Sequence, residues 1–325
     1  MNAPAALALA VAGIGLLAAG SACDAQTYPT RPIKIITPFP PGGGVEVTLR
    51  FLAQKLSDSG WQNVVVENRA GSGGAVAALA VKSALPDGYT LLQADIGTFA
   101  INPNLAPNLA YDPVKDFKPI TPTWSFPSLL VLPGASPASS IAELVRLART
   151  KPGGLTYASQ GIGSGGHILG AMFAKSTGAP MTHVPYRGAG PAIVDLVAGR
   201  ADVMFTTLAS VRGFLQDGRL KVIATTAGQR SPELRNVMTM REAGYPDVFL
   251  EAWFGIAAPA ELPDGIATII HEKVAAVMST PEAVQKLKEL GFDRMTGTPE
   301  EFRALIKREL ERLAPIAKAV GAAAH

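Results

Sequence analysis

The residues with the most chemical potential lie in one run, YASQGIGSGGHILGAMF, Tyr157 to Phe173. Gly161, Gly163 and Gly166 satisfy GxGxxG, the fingerprint of a dinucleotide-binding turn. Ser164 precedes His167 by three positions, so a nucleophile and base on one helix start is the second chemistry to weigh. A dinucleotide turn needs a strand before it, a helix after it and an acid about 20 residues on. Leu155–Ser159 reads as the strand and a helix follows, but the expected region, Thr182 to Arg187, is THVPYR and holds no acid. Arg187 leaves an NADP-type 2'-phosphate contact as the surviving form of that reading. The hydrolase reading lacks parts too. Ile162 breaks the GxSxG elbow around Ser164, and no third group completes a triad. GxxxxGK[ST] is absent, and the four histidines, His167, His183, His271 and His325, show no HxH or HExxH spacing. No metal and no cofactor is expected.

The glycine run has companions. Pro41-Gly42-Gly43-Gly44 follows the first strand and opens its helix, and Ala70-Gly71-Ser72-Gly73-Gly74 does the same after the second. Three strand-to-helix junctions thus offer backbone N–H groups with little side chain over them. A helix start carries unpaired donors and a partial positive charge, which suits an anion without any cation. In open α/β sheets such junctions lie at the carboxyl ends of strands, where ligands bind. The pattern predicts an anion held between two domains.

The elements that must position these loops alternate along the chain. Strands are expected at Ile33–Thr37, Asn63–Glu67, Thr90–Ala94, Leu155–Ser159, Thr182–Val184, Asp202–Phe205 and Lys221–Thr225, with helices at Gly44–Ser57 and Ser72–Ala84 between the first three. This is an α/β fold with largely parallel strands. Ser140 with Glu143, and Thr298-Pro299 with Glu301, read as capping boxes opening further helices. Proline-rich Tyr111–Pro127 and the stretch Ala252–Ala257 read as crossovers between two domains.

Composition fits that scheme. The chain has 325 residues, 48% hydrophobic and 17% charged, enough for about two domains. Its net charge of +3, 29 bases against 26 acids, is spread without a basic cluster, which sets nucleic acid aside. No charged side chain occurs before Asp24. That N-terminal run of small and apolar residues reads as an export signal over residues 1–25, with Cys23-Asp24-Ala25 as an AxA-like cleavage site. A signal anchor, or lipidation of Cys23, is the alternative. Cys23 is the sole cysteine, so the mature chain is expected to have no disulfide.

Several longer motifs carry a family resemblance: YPTRPIKIITPFPPGGGVEV, VVVENRAGSGG, PDGYTLL, IGTFAINP, YDPVKDF, LTYASQGIGSGGH, THVPYRGAGPAIVDLVAGRADVMF and AWFGIAAPA. From about Tyr28 to Leu313 the chain resembles the periplasmic solute-binding proteins of tripartite tricarboxylate transporters, the Bug or TctC-type proteins. The resemblance implies a two-lobed type II periplasmic-binding-protein fold with an interlobe cleft and no enzymatic activity. It also implies capture of a small organic carboxylate for integral membrane permease subunits. Carried over by position, the ligand-binding residues are Pro41, Gly42, Gly43, Gly44, Val45 and Glu46 of the first loop. Ser159, Gly161, Ile162, Gly163, Ser164 and His167 come from the second, and Thr98, Phe99, Tyr186, Thr206 and Trp253 complete the set. Glu46 stands where many members have aspartate, Ala75 where asparagine is frequent, and Thr206-Thr207 where Asp-Asn is usual. Loss of that acid points to a plain carboxylic acid and away from an amino acid.

The expected organisation is lobe one over residues 28–126 plus 251–325 and lobe two over 127–250, with the N–H groups of both loops clamping the carboxylate. The rivals are an α/β enzyme, either an NADP-dependent reductase through Gly161 and Arg187 or a hydrolase through Ser164 and His167, and a ligand sensor that feeds a kinase.

Overall fold

Each β-branched run becomes a strand and each amphipathic stretch a helix packed on it. The computed structural model describes residues 28–106, 108–230 and 232–322; the expected export signal and Cys23 lie outside these described residues. In chain order the elements are β1 (Ile33–Thr37), α1 (Gly44–Asp58), β2 (Val64–Asn68), α2 (Ala75–Lys82), β3 (Thr90–Asp95), a wide helical turn (Gly97–Ile101) running into α3 (Asn102–Leu105), and β4 (Phe117–Pro127). The chain continues with β5 (Leu129–Pro133), α4 (Ile141–Thr150), β6 (Leu155–Ser159), α5 (Gly165–Thr177), β7 (Met181–Pro185), α6 (Ala189–Val197), β8 (Val203–Thr206), α7 (Leu208–Gln216) and β9 (Leu220–Thr225). It closes with β10 (Glu251–Pro259), α8 (Asp264–Met278), α9 (Pro281–Glu289), β11 (Asp293–Arg294) and α10 (Pro299–Ala322).

The strands form two sheets of the same design. The first runs β11-β4-β10-β3-β1-β2 and the second β7-β6-β8-β5-β9. In each, three parallel strands come from consecutive β-α units, with β1 central to one set (Ile35 opposite Val66 and Leu91) and β6 to the other. Antiparallel strands then extend each sheet, β10 against β3 and β4, and β5 against β8 and β9. Each sheet with its helices is one lobe of an α/β fold. Ile33, Ile35, Leu49, Leu52, Leu91 and Leu92 are fully buried in the first lobe, and Val131, Ala158, Leu196 and Met204 in the second. Burying the branched and longer side chains among these contributes about 1.5–3 kcal/mol each.

The two expected crossovers are strands instead. Tyr111–Pro127 supplies β4 and Ala252–Ala257 lies within β10, and the two pair antiparallel with Trp124 opposite Phe254. Proline is tolerated because β11 covers β4 only at Trp124 and Ser125, so Pro119 and Pro122 lie where no strand covers that edge. The chain passes between sheets at Ser128 and again after Thr225. These crossings are bonded to each other, Thr226 N to Ser128 O at 2.8 Å and Ser128 N to Thr226 Oγ1 at 2.9 Å. Among the described residues, no helix is long and apolar enough to cross a membrane.

Candidate functional site in the interlobe cleft

The parallel strands of both sheets end at helix starts, and these ends face each other. α1 opens on Gly43 in an extended conformation (φ −82°, ψ 154°), with no side chain capping it. The acid of its first turn, Glu46, is buried and turned back. It accepts a hydrogen bond from Gly42 N at 3.3 Å and pairs with Arg50 one turn on. Glu46 therefore shapes the Pro41–Gly44 loop from beneath. Pro41 and Gly42 are exposed, while Val45 packs on the core.

β3 ends on Asp95, a buried carboxyl that caps the wide turn. It accepts from Gly97 N at 2.8 Å, Thr98 N at 3.2 Å and Thr98 Oγ1 at 2.6 Å. Burial pushes its pKa up to about 6, against the pull of those bonds. Thr98 is thus tied to Asp95, and its carbonyl accepts from Tyr111 Oη at 2.6 Å. Phe99 points the other way, into the core against Phe117.

In the second lobe, the Ser159–Ser164 loop is largely self-satisfied. Gly161 N donates to Ser159 Oγ at 3.1 Å, Gly163 N to His167 Nδ1 at 3.2 Å and Ser164 N to Gly161 O at 3.1 Å. Ser164 is the N-cap of α5, its hydroxyl accepting from His167 N at 3.3 Å. Ser164 and His167 are therefore each engaged with backbone and are not set against one another as nucleophile and base. The GxGxxG glycines have a packing cause: a Cβ on Gly166 would sit 2.8 Å from Phe205 O. Ile162, by contrast, is 60% exposed at the loop tip.

Two further helix starts belong to this lobe. Thr206 ends β8 with its Oγ1 buried and without a partner among the described residues. Thr207 caps α7 by accepting from Ser210 N at 3.1 Å. α6 opens on Gly188 with no side-chain cap. Tyr186, just before it, donates its hydroxyl to Asp195 Oδ2 at 2.7 Å, away from the glycine loop.

The lobes meet at these starts. A Cβ on Gly44 would fall 2.8 Å from Ala209 Cβ and 4.0 Å from Thr207 Oγ1, and one on Gly188 would fall 3.1 Å from Pro40. Gly163 stands against Asn102 and Leu105, and Gly97 against Gly163 O. The structure sets the Pro41–Glu46 loop against Ala209 and Thr207, the latter next in the chain to Thr206, and the Ser159–His167 loop against Asn102 and Gly97, the latter next in the chain to Thr98. It places Trp253 under α10 with its ring edge-on to Phe302, on the opposite face of β10 from the Phe39–Phe254 contact. Sequence reasoning passed over Asp95, Asn102 and Gly188, and noted Thr207 only as a departure from the family pattern. Asp95 stands next to the IGTFAINP motif and Gly188 within VPYRGAG, so each was within reach of a motif already in view.

Comparison with known proteins follows the same lines. The family described as "Tripartite tricarboxylate transporter family receptor" matches residues 48–322. Protein BugT of Bordetella pertussis is 34% identical over 97% of this chain and 97% of its own length. Among solved structures, R. palustris Rpa4515 with adipate superposes with a TM-score of 0.86 at 33% identity, covering 90% of this chain and 98% of that one. MatC from Rhodopseudomonas palustris with bound malate gives 0.83 at 28% identity, covering 89% and 100%.

Proposed function

This chain belongs to the tripartite tricarboxylate transporter receptor family, the Bug or TctC-type solute-binding proteins, and from that premise we propose that it captures a small organic carboxylate in the periplasm and delivers it to the permease subunits of such a transporter. One observation carries the reading furthest. α1 and α6 start without side-chain caps, on Gly43 and Gly188, and approach each other from opposite lobes where Pro40 meets Gly188. Each start presents free N–H donors and about half a positive charge. An anion between them satisfies both at once, with no lysine or arginine needed. α5 and α7 begin in the same cleft but carry their own hydroxyl caps, Ser164 and Thr207. They contribute shape more than charge.

We take residues 28–126 plus 251–325 as lobe one and 127–250 as lobe two, hinged at Ser128 and Thr226, where the paired crossings allow rotation about a single short seam. Charge-assisted hydrogen bonds contribute about 1.5–3 kcal/mol each. A few of them, less the cost of ordering, support micromolar capture, near −8 kcal/mol. Adipate and malate, held by the two structural neighbours, are the first acids to try. A thermal-shift screen of the mature chain against dicarboxylates, tricarboxylates, aromatic acids, amino acids and nicotinate tests the reading. Stabilisation by one or more carboxylates is expected. A response confined to neutral or cationic compounds would overturn it.

A further inference from the structure

Register places two histidines where neither could be foreseen from spacing. β6 and β7 are parallel neighbours with Tyr157 opposite His183, so their rings stack, centroids 4.8 Å apart. His167, in the first turn of α5, also stacks on His183, at 3.9 Å and 12° from parallel, with its ring 6.5 Å from that of Tyr157. His183 is fixed in turn by a 2.7 Å contact between its Nε2 and Ser159 Oγ. His167 is buried and has one polar task visible at its ring: Nδ1 accepts Gly163 N at 3.2 Å. An acceptor Nδ1 requires the neutral ring with its proton on Nε2.

Gly163 is a point at which this loop meets lobe one. Its φ of +78° is one that few side chains adopt. A Cβ there would lie 2.5 Å from Asn102 Oδ1, and its carbonyl faces Gly97. The orientation of this one peptide group therefore decides whether the loop seats against the opposing lobe.

We propose that His167 is the positioning residue of the ligand loop: its Nδ1 fixes the Gly163 peptide in the orientation that closes on Asn102 and Gly97, so that capture of a carboxylate depends on a side chain that does not itself touch the ligand. The inference rests on the carboxylate-binding reading above. His183 serves as the platform that keeps the ring of His167 in place.

Two substitutions separate the parts of this role. His167→Asn keeps an acceptor oxygen near the place of Nδ1 and removes the stacked ring. His167→Phe keeps a ring on His183 and removes the acceptor, leaving a buried N–H unmatched. Calorimetric titration of the mature protein with adipate and with malate is expected to show His167→Phe weakened about ten-fold or more, and His167→Asn within about three-fold of wild type. If Nε2 instead held the ligand, both variants would lose affinity alike, and that result overturns the proposal. Nitrogen-15 correlation spectra of the wild-type imidazoles decide the matter independently of how the variants fold. A protonated Nε2 and bare Nδ1 at His167 are expected, and a proton on Nδ1 overturns the proposal. Should wild type bind neither these acids nor any other carboxylate, the functional reading fails, while the spectra still judge the role of His167.

Discussion

Gly163 of the second lobe abuts Asn102 of the first so closely that a single methyl carbon at Gly163 would stand 2.5 Å from the Asn102 side-chain oxygen. Asn102 in turn donates its amide to Ser72 O at 3.4 Å and to Gly73 O, so it joins three of the loops around the cleft. Gly163→Ala is accordingly expected to resist closure. Affinity for the bound carboxylate should fall about ten-fold or more, since both the positive φ and the contact oppose a Cβ. Small-angle scattering with saturating ligand should show a wider particle than wild type. An unchanged Kd and an unchanged scattering profile would contradict this account of the seam.

A second tie lies on the far side of the cleft. Arg212 of α7 donates to Glu289 O, at the C-terminal end of α9, at 2.6 Å, beside an ion pair with Glu233. A guanidinium at a helix C-terminus complements its partial negative charge. Leu208 packs beneath this tie against Gly291. Arg212→Met should weaken ligand binding about three- to ten-fold, with the loss residing in the dissociation rate. Its melting temperature without ligand should move little, because the side chain is substantially exposed. Stopped-flow release rates check this, and equal rates would show that the contact holds nothing closed.

Glu46 is a buried acid beside the proposed anion site, and its partners explain how that is tolerated. Arg50 neutralises it and Gly42 N hydrogen-bonds it. Glu46→Ala should cost about 1–3 kcal/mol of stability by freeing the loop. Glu46→Gln keeps an acceptor for Gly42 N and removes a negative charge, so its affinity for a carboxylate should equal or exceed that of wild type. Denaturant unfolding and titration calorimetry separate the two. A Glu46→Gln variant with much weaker binding would mean that the carboxylate itself meets the ligand.

Much of this architecture could be read from residue order, and the parts that could not share a cause. The capping boxes are visible in sequence because they are local. Glu143 N bonds Ser140 Oγ at 3.3 Å, and Thr298 with Glu301 exchange bonds at 2.9 and 3.2 Å. The strand Ile33–Thr37 and the strand Leu155–Ser159 follow from composition alone. β4 and β10 were obscured by proline and aromatic residues that only a sheet edge and a paired neighbour make acceptable. The glycine loops predict an anion site by residue type alone. Which of their amides are already engaged depends on Ser159, His167 and His183, brought together by strand register. Asp95 escaped notice because a lone acid after a strand has no pattern until Thr98 folds back onto it.

Acid should act on this protein through opposing groups. Burial lowers the pKa of His167 and His183 from an ordinary 6.5 to about 4, with the His167 ring adding to the lowering at His183. The unfolded chain therefore takes up those protons first, so their contribution to stability is present above pH 6.5 and is lost as pH falls towards 4. Asp95 runs the other way. Its pKa rises from 3.8 to about 6 in the folded state, where its three partners are uncharged. The native state binds that proton first, and stability falls as pH rises from about 4 through 6. Asparagine mimics the protonated acid at every pH, with Nδ2 able to donate to Thr98 Oγ1. Asp95→Asn should thus be more stable than wild type at pH 7, by up to about 3 kcal/mol, and the advantage should vanish by about pH 4. Unfolding curves across that range supply the test. Wild-type and variant curves that stay parallel would mean that Asp95 is ionised with no penalty, and that the seam beside it is wetter than its burial implies.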